Sequence, residues 1–214
     1  MSSGRERLTP GYRWIMTILR AWSLLLWPLR VEGREHLPEV GGALLVANHS
    51  SVLDITGMAL ASLPRHASFV ARRSLSDSRV LERVLDTSEA ILIEPGASDR
   101  AALRQIVERL REGRLVAIFP EGTRSPDGAL HPFKGGALLA ARMAGVPLIP
   151  CGVSGAWEAW PRHRRWPRRG PVLVRFGAPL EPDLEDLGEV LEHQVSQLAG
   201  IERAPLAGDA LAPA

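Results

Sequence analysis

The 214-residue chain reads as a single α/β domain. A mostly parallel central sheet is flanked by helices, and an amphipathic N-terminal membrane-interface helix precedes it. Three features point there. From Leu44 onward, short apolar runs alternate with longer helical patterns, which calls for crossover connections and so for parallel strands with helices on their faces. Apolar residues make up 45% of the chain and charged residues 23%, enough to build one sizeable core. Residues 11–29, "GYRWIMTILRAWSLLLWPL", set a wide apolar arc beside a narrow basic one.

That first segment is helical by pattern. Arg13, Thr17 and Arg20 line one narrow face, and Trp14, Ile15, Ile18, Leu19, Trp22, Leu25 and Leu26 cover the rest. The apolar run is broken by Arg20 and ends near Pro28, short of the roughly 20 residues a spanning helix needs. No small-residue cleavage site follows, so it is not read as a secretory signal. An apolar arc this wide exceeds one packing contact. Residues 1–29 are therefore expected to form a membrane-associated helical segment, with tryptophan and leucine in the bilayer interface.

Strands are expected at Ala43–Ala47, Ser68–Ala71, Ala90–Ile93, Leu115–Phe119, Pro147–Val153 and Val172–Phe176. Helical patterns lie between them near 51–62, 77–86, 98–112 and 135–144. The clearest is "SDRAALRQIVERLREG": Ser98 can cap it, Leu103, Ile106, Val107 and Leu110 share a face, and Gly113 can end it. Residues 30–200 are read as the main domain. The tail 201–214, rich in Ala, Pro and Gly, is expected to be disordered.

The formal charge is only +2, but it is unevenly placed. Arginines cluster in "WPRHRRWPRRG", 160–170, and acids in "EPDLEDLGEVLE", 181–192; Lys134 is the sole lysine. The arginine-tryptophan stretch is either a solvated face or an extension of a lipid-facing surface. No helix-turn-helix spacing, zinc-knuckle cysteines or RNA-binding aromatic signature accompanies it, so nucleic acid is not expected as a partner. The lone Cys151 excludes an internal disulfide and sits in an apolar run as a core residue. His36, His66, His131, His163 and His193 lack ligand spacing, and no metal is expected.

Two blocks carry chemistry. In open α/β sheets ligands gather at the carboxyl ends of the strands. The run "LLVANHSSVLD" ends a buried strand on Asn48 and His49 and supplies Asp54 five residues after the histidine. On a straight helix these two would not share a face. The spacing works if His49 stays in the turn, Ser50 or Ser51 caps the helix and Asp54 lies in its first turn. Asp54 would then fix the imidazole tautomer and leave the other nitrogen as a base. Taken alone, the spacing also fits a capped helix beside a hydrogen-bonded histidine. No Gly-x-Ser-x-Gly supplies a nucleophile, since "GVSGA", 152–156, fails at its last position; the base is expected to activate a substrate hydroxyl. The second block, "FPEGTRSPDG", 119–128, empties a buried strand into a loop. Gly122 lets the backbone approach a ligand. Thr123 and Arg124 offer a hydroxyl and a fork suited to phosphate, and Glu121 can accept hydrogen bonds from hydroxyls.

Together the blocks resemble those of the glycerolipid acyltransferases, in particular the 1-acylglycerol-3-phosphate acyltransferases. That family carries Asn-His-x-x-x-x-Asp, seen here as Asn48, His49 and Asp54. It carries Phe-Pro-Glu-Gly-Thr-Arg-Ser, seen unbroken as Phe119 to Ser125, and an apolar block similar to "VPLIP", 146–150. "FKGGALLAA", 133–141, and "VEGREHLP", 31–38, are similar to family stretches as well. The resemblance spans roughly 30–180. It implies transfer of a fatty acyl group from acyl-CoA or acyl carrier protein to the free hydroxyl of a lysophosphatidate, in phospholipid biosynthesis. It implies His49 as base, Asp54 as its orienter, Thr123 and Arg124 as phosphate ligands, and Glu121 and Gly122 as the wall of the glycerol pocket. No cofactor is expected beyond the acyl thioester co-substrate. The expected location is the cytoplasmic side of a membrane, peripheral or monotopic. One departure stands out. The family's Gly-x-x-Phe-Ile-Asp-Arg block corresponds to "EAILIEP", 89–95, with Glu89 for the glycine and Pro95 for the phosphate-associated arginine. Arg72 is the expected substitute, with Arg100 a second candidate. Another lyso-lipid or alcohol acceptor, or a thioesterase or lipid hydrolase built on the same dyad, are the alternatives.

Overall fold

The computed structural model describes residues 9–72, 79–93 and 99–205. Its centre is a seven-stranded sheet in the order β1-β7-β6-β2-β5-β3-β4. The strands are β1 (Leu29–Glu32), β2 (Ala43–Ala47), β3 (Ala67–Arg72), β4 (Ile91–Ile93), β5 (Leu115–Ile118), β6 (Leu148–Ser154) and β7 (Val172–Phe176). All neighbouring pairs run parallel except β6 and β7. The helices are α1 (Pro10–Leu26), α2 (Val52–Ala61), α3 (Arg79–Thr87), α4 (Asp99–Arg111), α5 (Gly136–Ala144), the short α6 (Ala156–Ala159) and α7 (Leu187–Ala199).

β2 shows why an unbroken apolar run marks a central parallel strand. All five of its residues are buried, and successive side chains serve opposite faces. Ala43, Leu45 and Ala47 join a core with Leu53, Met58, Tyr12 and Met16 from α2 and α1. Leu44 and Val46 join the other core, with Leu110 of α4, Ala140 of α5 and Val195 of α7. Small residues on α5 (Ala137, Ala140, Ala141) let it pack closely there. Cys151 is buried in β6, where burial pushes its thiol well up.

α1 divides its apolar arc between two tasks. Thr9 caps it, accepting from the Tyr12 N–H, and Pro10 starts it. Tyr12, Met16 and Ser23 are buried, with Ile15 and Leu19 packed against the same core. The stripe Trp14, Ile18, Trp22 and Leu25 stays outside and is 53–71% exposed. Among the described residues no helix is long and apolar enough to cross a membrane.

Three elements were not anticipated: β1, α6 and α7. β1 pairs in register with β7, Leu29 opposite Val172. α7 buries Leu187, Leu191, Val195 and Ala199 at four-residue spacing. Residues 201–205, grouped with the tail on composition, hydrogen-bond to the segment around Leu130, and Arg203 pairs with Glu192. Residues 206–214 and the expected cap Ser98 lie outside the described residues, as does Pro95.

Candidate active site

β2 and β5 are adjacent and parallel, with Val46 opposite Ile118. Their carboxyl ends therefore deliver Asn48–His49 and Phe119–Glu121 to the same edge of the sheet. Asn48 is buried and bonds both ways to Val153 of β6: its amide donates to the carbonyl at 2.9 Å and its carbonyl accepts from the N–H at 2.8 Å. The residue before the histidine is thus pinned to the neighbouring strand.

α2 begins at once. Ser51 is its N-cap, with Oγ accepting from the Leu53 N–H at 3.2 Å, and Asp54 completes a capping box. Asp54 is fully buried. Its Oδ2 accepts from the Ser50 N–H at 2.6 Å, the Ser51 N–H at 2.7 Å and His49 Nδ1 at 3.0 Å. The two amides can only donate, so this oxygen is an acceptor throughout and Nδ1 must carry the proton. In the neutral ring the lone pair is then on Nε2, which has no hydrogen-bond partner among the described residues. The His49 side chain keeps 14% of its surface open and stacks on Phe119 with ring centroids 4.2 Å apart. The ring is held on one edge and one face, and it stays reachable.

Glu121 locks the two blocks together. Oε1 accepts from the His49 N–H at 2.7 Å and Oε2 from the His131 N–H at 3.2 Å. The Ser125 N–H in turn donates to the His49 carbonyl at 2.7 Å. Both peptide groups of His49 are thereby tied to the 119–131 loop. Glu121 is 7% exposed, and burial raises its carboxyl from 4.5 to about 7 despite the two N–H donors. Expected as an acceptor for substrate hydroxyls, Glu121 has each oxygen directed at main chain.

Gly122 has φ +74°, a left-handed conformation that suits glycine. A β-carbon there would lie 2.6 Å from Lys134 Nζ. The ammonium of the chain's only lysine therefore rests over this glycine. Beside it Thr123 is exposed and Arg124 half-buried. Neither the Arg124 guanidinium nor the Lys134 ammonium has an ion-pair partner among the described residues. Arg72 is the last residue of β3, and its side chain lies outside the described ones; Arg100 is exposed on α4. Glu89, at the family's glycine position, has φ +49° and is held by Arg109 and Arg114.

Lys134 and His131 were not singled out as site residues. The lysine's signal was its place in "FKGG", 13 residues after Glu121. The His131 contact uses a backbone N–H and leaves no trace in residue type. At the start of α2 the backbone N–H groups of Ser50, Ser51 and Leu53 are already engaged, the first two by Asp54 Oδ2 and the third by Ser51 Oγ.

A family model described as Acyltransferase matches residues 28–154, more than half the chain and both blocks. A 1-acyl-sn-glycerol-3-phosphate acyltransferase of Bacillus subtilis (strain 168) is 26% identical over 169 residues, covering 79% of this chain and 82% of the relative. The Ovis aries 1-acyl-sn-glycerol-3-phosphate acyltransferase alpha is 32% identical over 181 residues, with 78% of this chain matched to 63% of the relative. The chain thus spans most of the bacterial relative and just under two thirds of the sheep one. Among solved structures, the 1-acyl-sn-glycerophosphate (LPA) acyltransferase PlsC of Thermotoga maritima superposes with a TM-score of 0.74 at 28% identity, over 88% of this chain and 79% of that one. Sheet, helices and both motif blocks agree with these likenesses, and the chain belongs to the acyltransferase family.

Proposed function

We propose that this chain transfers a fatty acyl group from an acyl thioester, acyl-CoA or acyl carrier protein, to the free hydroxyl of lysophosphatidate, with His49 and Asp54 as the dyad. The observation that carries the reading is the His49 ring itself: Nδ1 bonded to Asp54 at 3.0 Å, Nε2 open at the rim of the acceptor loop. Nε2 takes the hydroxyl proton as the alkoxide attacks the thioester carbonyl carbon. Asp54 stabilises the imidazolium that forms. When the tetrahedral intermediate collapses, the C–S bond breaks and the proton passes from Nε2 to the departing thiolate.

Glu121 shapes the pocket by holding the 119–131 loop against His49. Thr123, Arg124 and Lys134 present a hydroxyl and two cations without carboxylate partners among the described residues, a set suited to a phosphate monoester. That set supports a phosphate-bearing acceptor even though Pro95 replaces the family's arginine. Arg72 ends β3 opposite Ile93 and is a further phosphate ligand in this reading. The outer stripe of α1 supports peripheral or monotopic seating at a bilayer, and the reading places the protein on the cytoplasmic side.

The test is an acceptor screen with one acyl-CoA, following free thiol and acylated lipid together. Lysophosphatidate should give both products in equal amounts and exceed monoacylglycerol and other lyso-lipids. Thiol without acylated lipid would replace this reading with hydrolysis. Equal rates with unphosphorylated alcohols would remove the phosphate from it.

A further inference from the structure

The stretch between α6 and β7 is taken up by neither the dyad nor the acceptor loop. Residues 160–170 carry Arg162, Arg164, Arg165, Arg168 and Arg169, with no carboxylate from Pro161 to Leu180. None of the five makes an ion pair among the described residues. Arg165, Arg168 and Arg169 are exposed. Trp166 is 73% exposed, and the Arg165 guanidinium lies 5.8 Å from its ring centroid.

The main chain of this loop is nonetheless fixed. The Arg168 N–H donates to the Ala159 carbonyl at 2.8 Å, and the Trp160 indole N–H to the Arg164 carbonyl at 3.1 Å. Three contacts join it to the end of α1. Trp27 Nε1 donates to the Arg168 carbonyl at 2.9 Å, the Gly170 N–H to the Leu26 carbonyl at 3.2 Å, and the Trp27 and Trp160 rings stack at 6.2 Å. On its other side the loop meets the site. Ser51, the cap of α2, donates from Oγ to the Trp160 carbonyl at 2.7 Å, and Arg162 donates to the Arg124 carbonyl at 3.3 Å.

We propose that this loop and the outer stripe of α1 form one continuous surface that seats on an anionic bilayer. The loop's arginines meet headgroup phosphates while Trp166 enters the interface. The inference rests on the membrane reading of α1 given above and extends it to a second element. Two features select a bilayer over an acidic protein. The positive loop is hydrogen-bonded to the end of the helix that carries the exposed tryptophan-leucine stripe, and its exposed Trp166 indole is flanked by a guanidinium, the pairing suited to a headgroup boundary. Each basic residue near an anionic surface strengthens partition about fivefold. Because the loop also carries the contacts to Ser51 and Arg124, the seated surface adjoins the acceptor site.

The experiment is cosedimentation of the full chain with phosphatidylcholine vesicles, with and without phosphatidylglycerol. The variants are Arg165→Gln/Arg168→Gln/Arg169→Gln, Trp166→Ala and, separately, Trp14→Glu/Trp22→Glu on α1. The triple arginine variant should lose about a hundredfold in partition to phosphatidylglycerol vesicles and little to pure phosphatidylcholine. Its turnover of detergent-dispersed substrate should be unchanged. Trp166→Ala should weaken both, and the α1 variant should be released from both. If the triple variant binds phosphatidylglycerol vesicles like the parent while the α1 variant is released, the loop has no lipid role and the proposal is overturned, with α1's reading intact. If the parent binds neither vesicle, the membrane reading itself falls, and the loop's with it. If the triple variant keeps vesicle binding and loses only affinity for acyl carrier protein, the surface docks the donor, which also overturns the proposal.

Discussion

Asp54→Asn separates the two duties of this carboxylate. Oδ2 caps α2 through two amide N–H groups and orients His49 through a third bond. An asparagine carbonyl at the same place keeps all three as acceptor. Its amide then occupies the position of Oδ1, which is buried and has no partner among the described residues. Loss of charge assistance and one buried unsatisfied donor should cost on the order of 2–4 kcal/mol in stability. The catalytic loss has a separate origin. At 3.0 Å and an effective dielectric constant of about 20, a carboxylate stabilises the imidazolium by about 5 kcal/mol, four decades in rate as an upper bound. Water reaching the 14% of the His49 side chain that is open lowers that figure. A fall in kcat of roughly 10²–10⁴-fold is expected, with KM for the acceptor held. Ser51→Ala is the control. It removes the cap oxygen and the bond from Oγ to the Trp160 carbonyl, costing on the order of 1–3 kcal/mol, yet leaves the His49–Asp54 bond in place, so kcat should stay near that of the parent. Thiol release on folded protein and urea unfolding read both quantities. If Asp54→Asn unfolds more easily but turns over at the parent rate, the carboxylate is only a helix cap, and the reasoning fails.

Glu121 predicts a pH signature. Its carboxyl is raised from 4.5 to about 7, so the folded state favours the neutral form. That stability is fully present below the unfolded value and is lost as pH rises through about 7. Relative to Glu121→Gln, which cannot titrate, the parent should lose on the order of 2–3 kcal/mol between pH 5 and pH 8; parallel urea midpoints across that range would contradict the assignment. Lys134→Met should raise KM for lysophosphatidate about ten- to a hundredfold, the loss of one charge-assisted contact, while leaving monoacylglycerol kinetics alone. An equal loss with both acceptors would move the lysine from phosphate binding to loop support.

Buried, two-faced strands were the most legible elements. Ala43–Ala47 and Val172–Phe176 have the expected bounds, because each is an apolar run closed by residues that cannot continue it. The start of α2 was legible for the same local reason: Ser51 and Asp54 form a capping box. β1 was not, since "LRVE" is an edge strand with Arg30 and Glu32 turned outward, too short and too charged to register. α7 was readable in principle. Leu187, Leu191, Val195 and Ala199 recur every four residues, but the acids around its start drew the reading toward a charged patch. Within the site, the residue types at His49, Asp54 and the 121–124 loop marked the place. What they could not carry was the backbone half of the geometry. The grip of Glu121 on two N–H groups, the tie from Ser125 to the His49 carbonyl and the Lys134 ammonium over Gly122 all depend on how a loop closes. No pattern of side chains writes that down.

The account turns on His49 as the group that removes the acceptor's proton. The most direct measurement is kcat of His49→Ala with acyl-CoA and lysophosphatidate, on protein shown by its melting curve to be folded. The account predicts a fall of about a hundredfold or more. Turnover within a few-fold of the parent would show that another group performs the chemistry.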